Sequence, residues 1–429
     1  MHLIFFNSPG GANLSFGKPV YKRVWLSVAS DMTEAVLEVI LSASAPLSEI
    51  YVEDCLTVRP KALPKSINYF SAPSSHQIIT PKRIAFFAAS DTLAFLLSPV
   101  IQHFRKENPE IEVHIWHREK QNEKAQQGFE SNGIESKAFS FLNFVRLRPE
   151  VIVLGNDWTA DAQLIIALGR WIGTKSVCLQ ESVIDLADTS RLRMRWADFA
   201  LLQGASVCEQ VPERKTVFLT GNPRYESLKF EQTGNIRPFF LINCNFTYGV
   251  HEDQRLAWLD PVVETLDALN VDYVIAQHPR DPGDLSKYKH VVRTNAAIIH
   301  ELIGRSDCIV SRFSSLLHEG LFMGKRAVYF NPHGESVGYD YRFDNQALFY
   351  AKNKDELNEA LHVILESTDS GASVFQPYLE KNCHYGLGKP SESISDLLLN
   401  IPAMKGDGLR VSLLKAIWST FKFYYLSKK

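Results

Sequence analysis

Short apolar runs alternate along this chain with stretches in which apolar residues recur every three or four positions. The first pattern predicts buried strands and the second amphipathic helices. Residues 24–29 (VWLSVA) read as a strand, and 31–43 as a helix capped by Asp31. Residues 49–53 return as a strand, and the Pro- and Ser-rich stretch 60–81 reads as a linker. A stronger strand follows at 83–89 (RIAFFAA), with Ser90 or Asp91 capping a helix that runs to 106. Strands are predicted at 111–116, 150–154 and 175–179, with a helix at 160–171, and a short strand at 216–220 ends in GNPRYE. The pattern then restarts. Strands at 238–244, 273–277, 308–310 and 327–330 are interleaved with helices at 253–269, 298–305, 315–323 and 355–365.

Strand–helix alternation implies parallel sheets joined by right-handed crossovers. The fold class is therefore α/β, with two consecutive doubly wound, Rossmann-like domains. A chain of 429 residues has the length for two or three domains. The expected boundaries are 1–80 for an additional α/β segment, 81–230 and 231–400 for the two domains, and 401–429 for a terminal amphipathic helix. Doubly wound sheets place ligands at the carboxyl ends of their strands, and a cleft between two such domains is the natural active site.

Composition narrows the function. Lys+Arg 46 against Asp+Glu 48 gives a net charge of -2, so no global field argues for nucleic acid. No GxGxxG and no GxxxxGK[ST] occurs, which weakens a dinucleotide or P-loop reading. The six cysteines form no CxxC pair, so a zinc knuckle is not expected, and their scatter fits a reducing cytosol. No apolar run of 18 residues appears, and the first residues make a poor signal peptide. These features predict a cytoplasmic protein.

Three segments carry candidate chemistry. In SDCIVSRFSSLLHEGLFMGKRAVYFNP (306–332), a strand ends at Ser311 and a polar turn opens a helix carrying His318 and Glu319. Ser314 and Ser315 stand where a phosphate would dock, or they are simply capping serines. In IAQHPRD (275–281), a strand delivers His278, Pro279 and Arg280, and a histidine with an arginine can neutralise phosphate. In LTGNPRYE (219–226), Gly221, Asn222 and Arg224 form either a rigid hinge or a ligand contact. A transferase also needs a group to take the proton of the attacking hydroxyl. Asp91, Asp157 and Glu181 follow strands of the first series; Asp91 and Asp157 also suit helix caps, whereas Glu181 does not, making it the leading base.

The ordered set TGNPRYE, QHPRD and SRFSSLLHEGLFMGKRAVYFNP resembles sugar-nucleotide enzymes of the GT-B fold. It is similar to UDP-N-acetylglucosamine 2-epimerases and to bacterial CDP-glycerol glycerophosphotransferases, sialyltransferases and capsule Kdo transferases. The resemblance covers roughly residues 83 to 370. It implies that His278 and Pro279 match an HP motif, and Ser314 and Ser315 a serine pair, that bind nucleotide phosphates. It also implies a base at the acidic motif, where this chain reads Gln180-Glu181-Ser182 and only Glu181 matches. The epimerases carry Glu-Ala-Gly-Leu-Arg there and a Ser-Gly-Gly turn in place of the serines, so the departures favour a transferase.

The resemblance thus implies a glycosyltransferase working without a metal or other cofactor on a CMP-, CDP- or UDP-linked sugar. The acceptor would be a bacterial surface glycan or a lipid-linked molecule. An epimerase or hydrolase of the same fold, and a non-catalytic subunit of a polysaccharide-synthesis complex, are the alternatives. Residues 408–429 contain no acidic residue. On a helical projection Ser412, Lys415, Ser419 and Lys422 share one face, and Leu414, Ile417, Trp418, Phe421 and Tyr425 the opposite one. Such a helix suits peripheral contact with an anionic membrane, at the inner face of the plasma membrane, or packing back across the first domain.

Overall fold

The computed structural model describes residues 23–27, 49–53, 68–71, 81–118, 124–182, 193–208, 210–211, 216–230, 235, 237–247, 250–335, 344–367, 371–383 and 389–421. The chain divides into two compact units, Met1–Arg224 with Asn382–Lys429, and Tyr225–Lys381.

The first unit contains two parallel sheets. Strands β1 (Arg23–Ser27), β2 (Glu49–Glu53) and β3 (Asn68–Ser71) pair in that order. β3 lies inside the stretch read as a linker: the aromatic pair in NYFS outweighs the surrounding Pro and Ser. The helix expected at 31–43 lies outside the described residues.

The larger sheet uses β4 (Arg83–Ala88), β5 (Glu112–His117), β6 (Lys137–Ala138), β7 (Val151–Leu154), β8 (Lys175–Leu179), β9 (Phe199–Leu202) and β10 (Val217–Leu219). Their order is β10-β9-β8-β7-β4-β5-β6, all parallel. The chain winds outward one way from β4 and the other way from β7. The strands β4, β7, β8 and β9 are almost wholly buried because helices cover both faces. Helix Asp91–Glu107 buries Leu93, Leu97, Val100 and Phe104 on one face, and helix Ala160–Ile172 buries Ile165 and Ile166 on the other. Ser90, not Asp91, is the cap of the first helix; its hydroxyl accepts the Leu93 N–H at 3.3 Å.

The second unit repeats the plan. Strands β11 (Phe239–Cys244), β12 (Asp272–Gln277), β13 (Val291–Arg293), β14 (Cys308–Ser311), β15 (Arg326–Phe330) and β16 (Leu348–Ala351) pair in the parallel order β13-β12-β11-β14-β15-β16. Here the winding reverses between β11 and β14.

The carboxyl side of the division differs from the sequence boundary at 400. Helix Pro390–Asn400 belongs to the first unit, where Ile394, Leu397 and Leu398 join the core beside Phe104 and Phe218. Its periodicity makes it a helix but does not say which sheet it covers. The described residues 401–421 also belong to the first unit: helix Leu413–Phe421 packs on helix Ala160–Ile172 through Ala416 and Leu413. The returning chain approaches so closely that a Cβ on Gly204 would lie 2.3 Å from the Asn382 backbone. Gly204→Ala is therefore expected to destabilise the protein by about 1 to 3 kcal/mol, an overpacking cost. Thermal melting of that variant against the parent checks it; an unchanged midpoint would mean the end of helix Ala372–Cys383 is not held there.

Candidate functional site

Each sheet presents one edge of strand carboxyl ends, and the predicted site residues lie along these two edges. In the second unit, Gln277 pairs with Cys244 and Ser311 with Asn243, so β12, β11 and β14 end level with one another. The turns after them begin at His278, Asn245 and Arg312. β12 and β14 flank β11 two strand spacings apart, roughly 10 Å. The reversal of winding falls between β11 and β14, where doubly wound sheets bind ligands.

His278 is half-buried, while Pro279 and Arg280 are exposed. Its Nδ1 accepts the Arg280 backbone N–H at 3.1 Å. In the neutral ring this leaves Nε2 as the nitrogen carrying hydrogen, a donor. Burial, and then the Arg280 charge, holds the His278 pKa below its ordinary 6.5, so the ring is neutral at pH 7. Ser314 and Ser315 are partly exposed. Ser314 Oγ accepts the Leu316 N–H at 3.2 Å, and Ser315 makes no side-chain cap bond to helix Leu316–Phe322.

The remaining donor candidates on this unit take structural positions. Ser311 is fully buried; its hydroxyl accepts from Asn243 Nδ2 at 2.9 Å and donates to the Arg312 carbonyl at 2.7 Å. His318 is fully buried and lies against the Tyr378 ring at 5.6 Å. Helix Leu316–Phe322 buries all six residues from Leu316 to Leu321, so a residue at its second turn has no solvent face to present. Glu319 is buried and pairs with His300 Nε2 at 2.8 Å.

Arg312 was not among the predicted site residues, yet it organises this edge. It donates to the carbonyls of Asn245 at 2.9 Å and Val250 at 3.1 Å, pairs with Glu335, and stacks over Phe246 at 4.6 Å. The loops after β11, β14 and β15 are thereby tied to one guanidinium. Its place between a strand end and the serine pair was the available signal; the partners lie 62 to 67 residues upstream and 23 downstream.

In the first unit the winding reverses between β4 and β7. Asp91, one residue beyond the capping serine of β4's turn, is partly exposed there. Asp157, after β7, is fully buried. Its carboxylate accepts backbone N–H groups of Met194 at 2.7 Å, Trp196 at 2.7 Å and Ala197 at 3.2 Å. Asp157 thus fastens the segment leading into β9 and is neither the helix cap nor a group open to substrate. Thr159 stands at the cap position. Arg118, after β5, makes a two-pronged pair with Asp161 at 2.6 and 2.7 Å, joining the turns on either side of β4.

Glu181 follows β8 and is partly exposed. A chain of buried amides sets its backbone. Asn222 donates to the Glu181 carbonyl at 3.0 Å and to Gln203 Oε1 at 3.2 Å, and Gln203 N–H donates to Gln180 Oε1 at 2.9 Å. Asn222 Oδ1 in turn accepts the Arg224 N–H at 3.0 Å. Asn222 and Gly221 are buried, and a Cβ on Gly221, whose φ is +74°, would meet Pro390 at 2.8 Å. The TGNP turn is therefore the rigid element of its two readings, with Arg224 partly exposed beyond it. Among the described residues no group of three or more His, Cys, Asp or Glu is placed to hold a metal ion.

No protein-family model and no curated protein matches the sequence. Solved structures do match in fold. MnaA of S. aureus, solved with UDP, superposes with a TM-score of 0.54 at 13% identity, covering 77% of this chain and 100% of its own. The UDP-GlcNAc 2-epimerase of Neisseria meningitidis, bound to UDP-GlcNAc, gives 0.54 at 13%, covering 74% and 99%. The glycotransferase of kitacinnamycin gives 0.51 at 13%, covering 75% and 99%. The fold is thus that of the GT-B sugar-nucleotide enzymes, as the motifs led one to expect.

The burial of His318 has a consequence for stability. Desolvation depresses its pKa from 6.5 to about 3. In the unfolded chain the ring takes a proton below about 6.5, whereas the folded ring stays neutral until about 3. Between these values the unfolded state binds more protons, so this contribution is whole above 6.5 and is lost as pH falls toward 3. His318→Gln should flatten the fall of the melting midpoint between pH 6.5 and 4. An unaltered slope would show that His318 does not titrate in this way.

Proposed function

We propose that this protein is a glycosyltransferase that moves a sugar from a nucleotide-activated donor to a bacterial surface glycan or lipid-linked acceptor. One observation carries the reading: His278 and the Ser314–Ser315 pair stand at the two strand ends that flank β11 beside the winding reversal of the second sheet. Neutral His278 offers an Nε2–H, Ser314 and Ser315 offer hydroxyls, and Arg280 offers full charge. Together they suit the oxygens of a CMP, CDP or UDP leaving group. No metal is assigned a part in holding it. Glu319, held by His300, is left a supporting part beneath the serine turn.

In the proposed reaction the acceptor hydroxyl gives its proton to a carboxylate of the first unit. Its oxygen bonds to the anomeric carbon, and the bond from that carbon to the phosphate oxygen breaks. The electron pair leaves on the nucleotide, whose charge the groups around His278 stabilise. Glu181 remains the leading base, because the amide chain through Asn222 fixes its backbone and its side chain has access to solvent. Asp91 is the second candidate, since it alone of the three carboxylates stands at the winding reversal of the first sheet and is partly exposed. The fold is shared with epimerases, which need no acceptor. Release of nucleotide from donor alone therefore separates the two activities.

Two outcomes are expected. His278→Ala and Ser315→Ala should each weaken binding of the matching nucleotide by roughly ten- to a hundredfold, equivalent to about 1.5 to 3 kcal/mol. Calorimetry over a UDP, CDP and CMP panel measures this, and unchanged affinity in both variants would move the donor elsewhere. Glu181→Gln should cost about 10² to 10⁴ in turnover and leave nucleotide affinity unchanged. Full activity in that variant, with Asp91→Asn inactive, would assign the base to Asp91.

A further inference from the structure

Helix Leu413–Phe421 is docked with its smallest apolar residue inward. Ala416 is 2% exposed against Leu164 and Ala167, and Leu413 is partly buried beside it. The larger residues point the other way: Leu414 is 81% exposed, Ile417 47% and Trp418 60%. Spaced three and four apart, they form one continuous outward stripe. Two neighbouring elements extend it. Arg170 donates to the Leu409 carbonyl at 2.6 Å, which brings the exposed Leu409 beside the end of helix Ala160–Ile172, where Trp171 is 70% exposed. Leu142 is also exposed, on helix Phe141–Leu147, whose Phe141 packs in the same cluster as Ala416.

Charge around this stripe has one sign. Arg410 and Lys415 are exposed on the docked segment, and Arg146 on the neighbouring helix. In sequence Lys422, Lys428 and Lys429 follow, and residues 408–429 contain no Asp or Glu. The acidic side chains nearest along the returning chain are already engaged: Asp407 accepts from Thr216, and Asp198 pairs with Arg170 at 2.9 Å. A protein partner's apolar patch would be served by the stripe alone. An apolar stripe with two tryptophans, flanked among the described residues by the exposed cations Arg410, Lys415 and Arg146, matches the interface of an anionic bilayer, where indoles sit at the headgroup level.

We propose that Leu414, Ile417, Trp418 and Trp171, with Arg410 and Lys415, form a surface by which this protein binds anionic membranes peripherally. The helix does both things its sequence allows, packing on the first unit through one narrow face and keeping its broad apolar face outward. This surface is independent of the transferase reading, because vesicle binding requires neither donor nor acceptor.

Deletion of residues 408–429 would also uncover Leu164 and Ala167, so point variants on the full chain are the cleaner test. The assay is cosedimentation with phosphatidylcholine vesicles, with and without roughly a third phosphatidylglycerol. The parent protein should pellet with the anionic vesicles only and be released by high salt. Leu414→Ser/Ile417→Ser/Trp418→Ser should lower partitioning at least about tenfold with an unchanged melting midpoint. If that variant folds poorly, Arg410→Glu/Lys415→Glu changes only exposed side chains and should abolish the preference for anionic vesicles. The proposal is overturned if the parent does not pellet, or if neither variant alters binding. It is equally overturned if the apolar variant binds no less and instead turns a dimer into a monomer, which would make a second copy the occupant.

Discussion

Every described strand in this protein runs parallel to its neighbours, and that constraint places everything else. In each sheet all carboxyl ends fall on one edge, and every connection must cross a face of the sheet to return. The crossovers cover both faces with helices, so the strands between them become apolar. Chemistry is consequently confined to the residues just past each strand. The winding reverses once in each of the two larger sheets, between β4 and β7 in the first unit and between β11 and β14 in the second. At those points adjacent turns diverge to opposite faces, leaving room that no crossover fills.

Such an edge has to be held, because backbone groups just beyond a strand lose their ladder partners in a setting where unpaired polar groups are costly. The two units solve this differently. The first uses amides, with Asn222, Gln203 and Gln180 bonded in sequence across the ends of β10, β9 and β8, and Gln203 reaching on to the Asn382 carbonyl at 3.3 Å. The second uses charge: Arg312 gathers three loops, and Arg255 pairs with fully buried Asp281 at 2.6 Å. Truncating a member of either network leaves its partners buried without a bond, which is why these residues behave as scaffold even though they adjoin the site.

Scaffold and chemistry therefore compete for the same residue types at the same edge. Asp157, Ser311, Asn222 and His318 all sit in the segments that carry the candidate site, and each is absorbed by burial. Asp91, Glu181, His278, Ser314 and Ser315 retain access. The proposed transfer asks of these groups only what their setting allows. A neutral histidine and hydroxyls can donate to an anionic leaving group, and a partly exposed carboxylate can receive a proton.

The sequence by itself determined the fold class, because apolar periodicity reports directly on which segments are covered on one side or two. It also placed the candidate HPR and serine-pair residues just past strands, where the structure has them after β12 and β14. It missed β3, β6, β9, β13 and β16 and the short helices between residues 124 and 147, whose apolar runs are too brief to show a period. What only the tertiary structure decided was the company each residue keeps. Helix Pro390–Asn400 carries an ordinary amphipathic pattern, and nothing local tells it to join the core of the first sheet. Carboxylates that follow strands look alike in sequence, but Asp157 is fully buried and meets three backbone N–H groups from residues 37 to 40 positions away, whereas Glu181 is partly exposed. Local pattern fixes what a segment becomes, whereas burial and partner choice depend on contacts distant in the chain, and those contacts separate a structural residue from a reactive one.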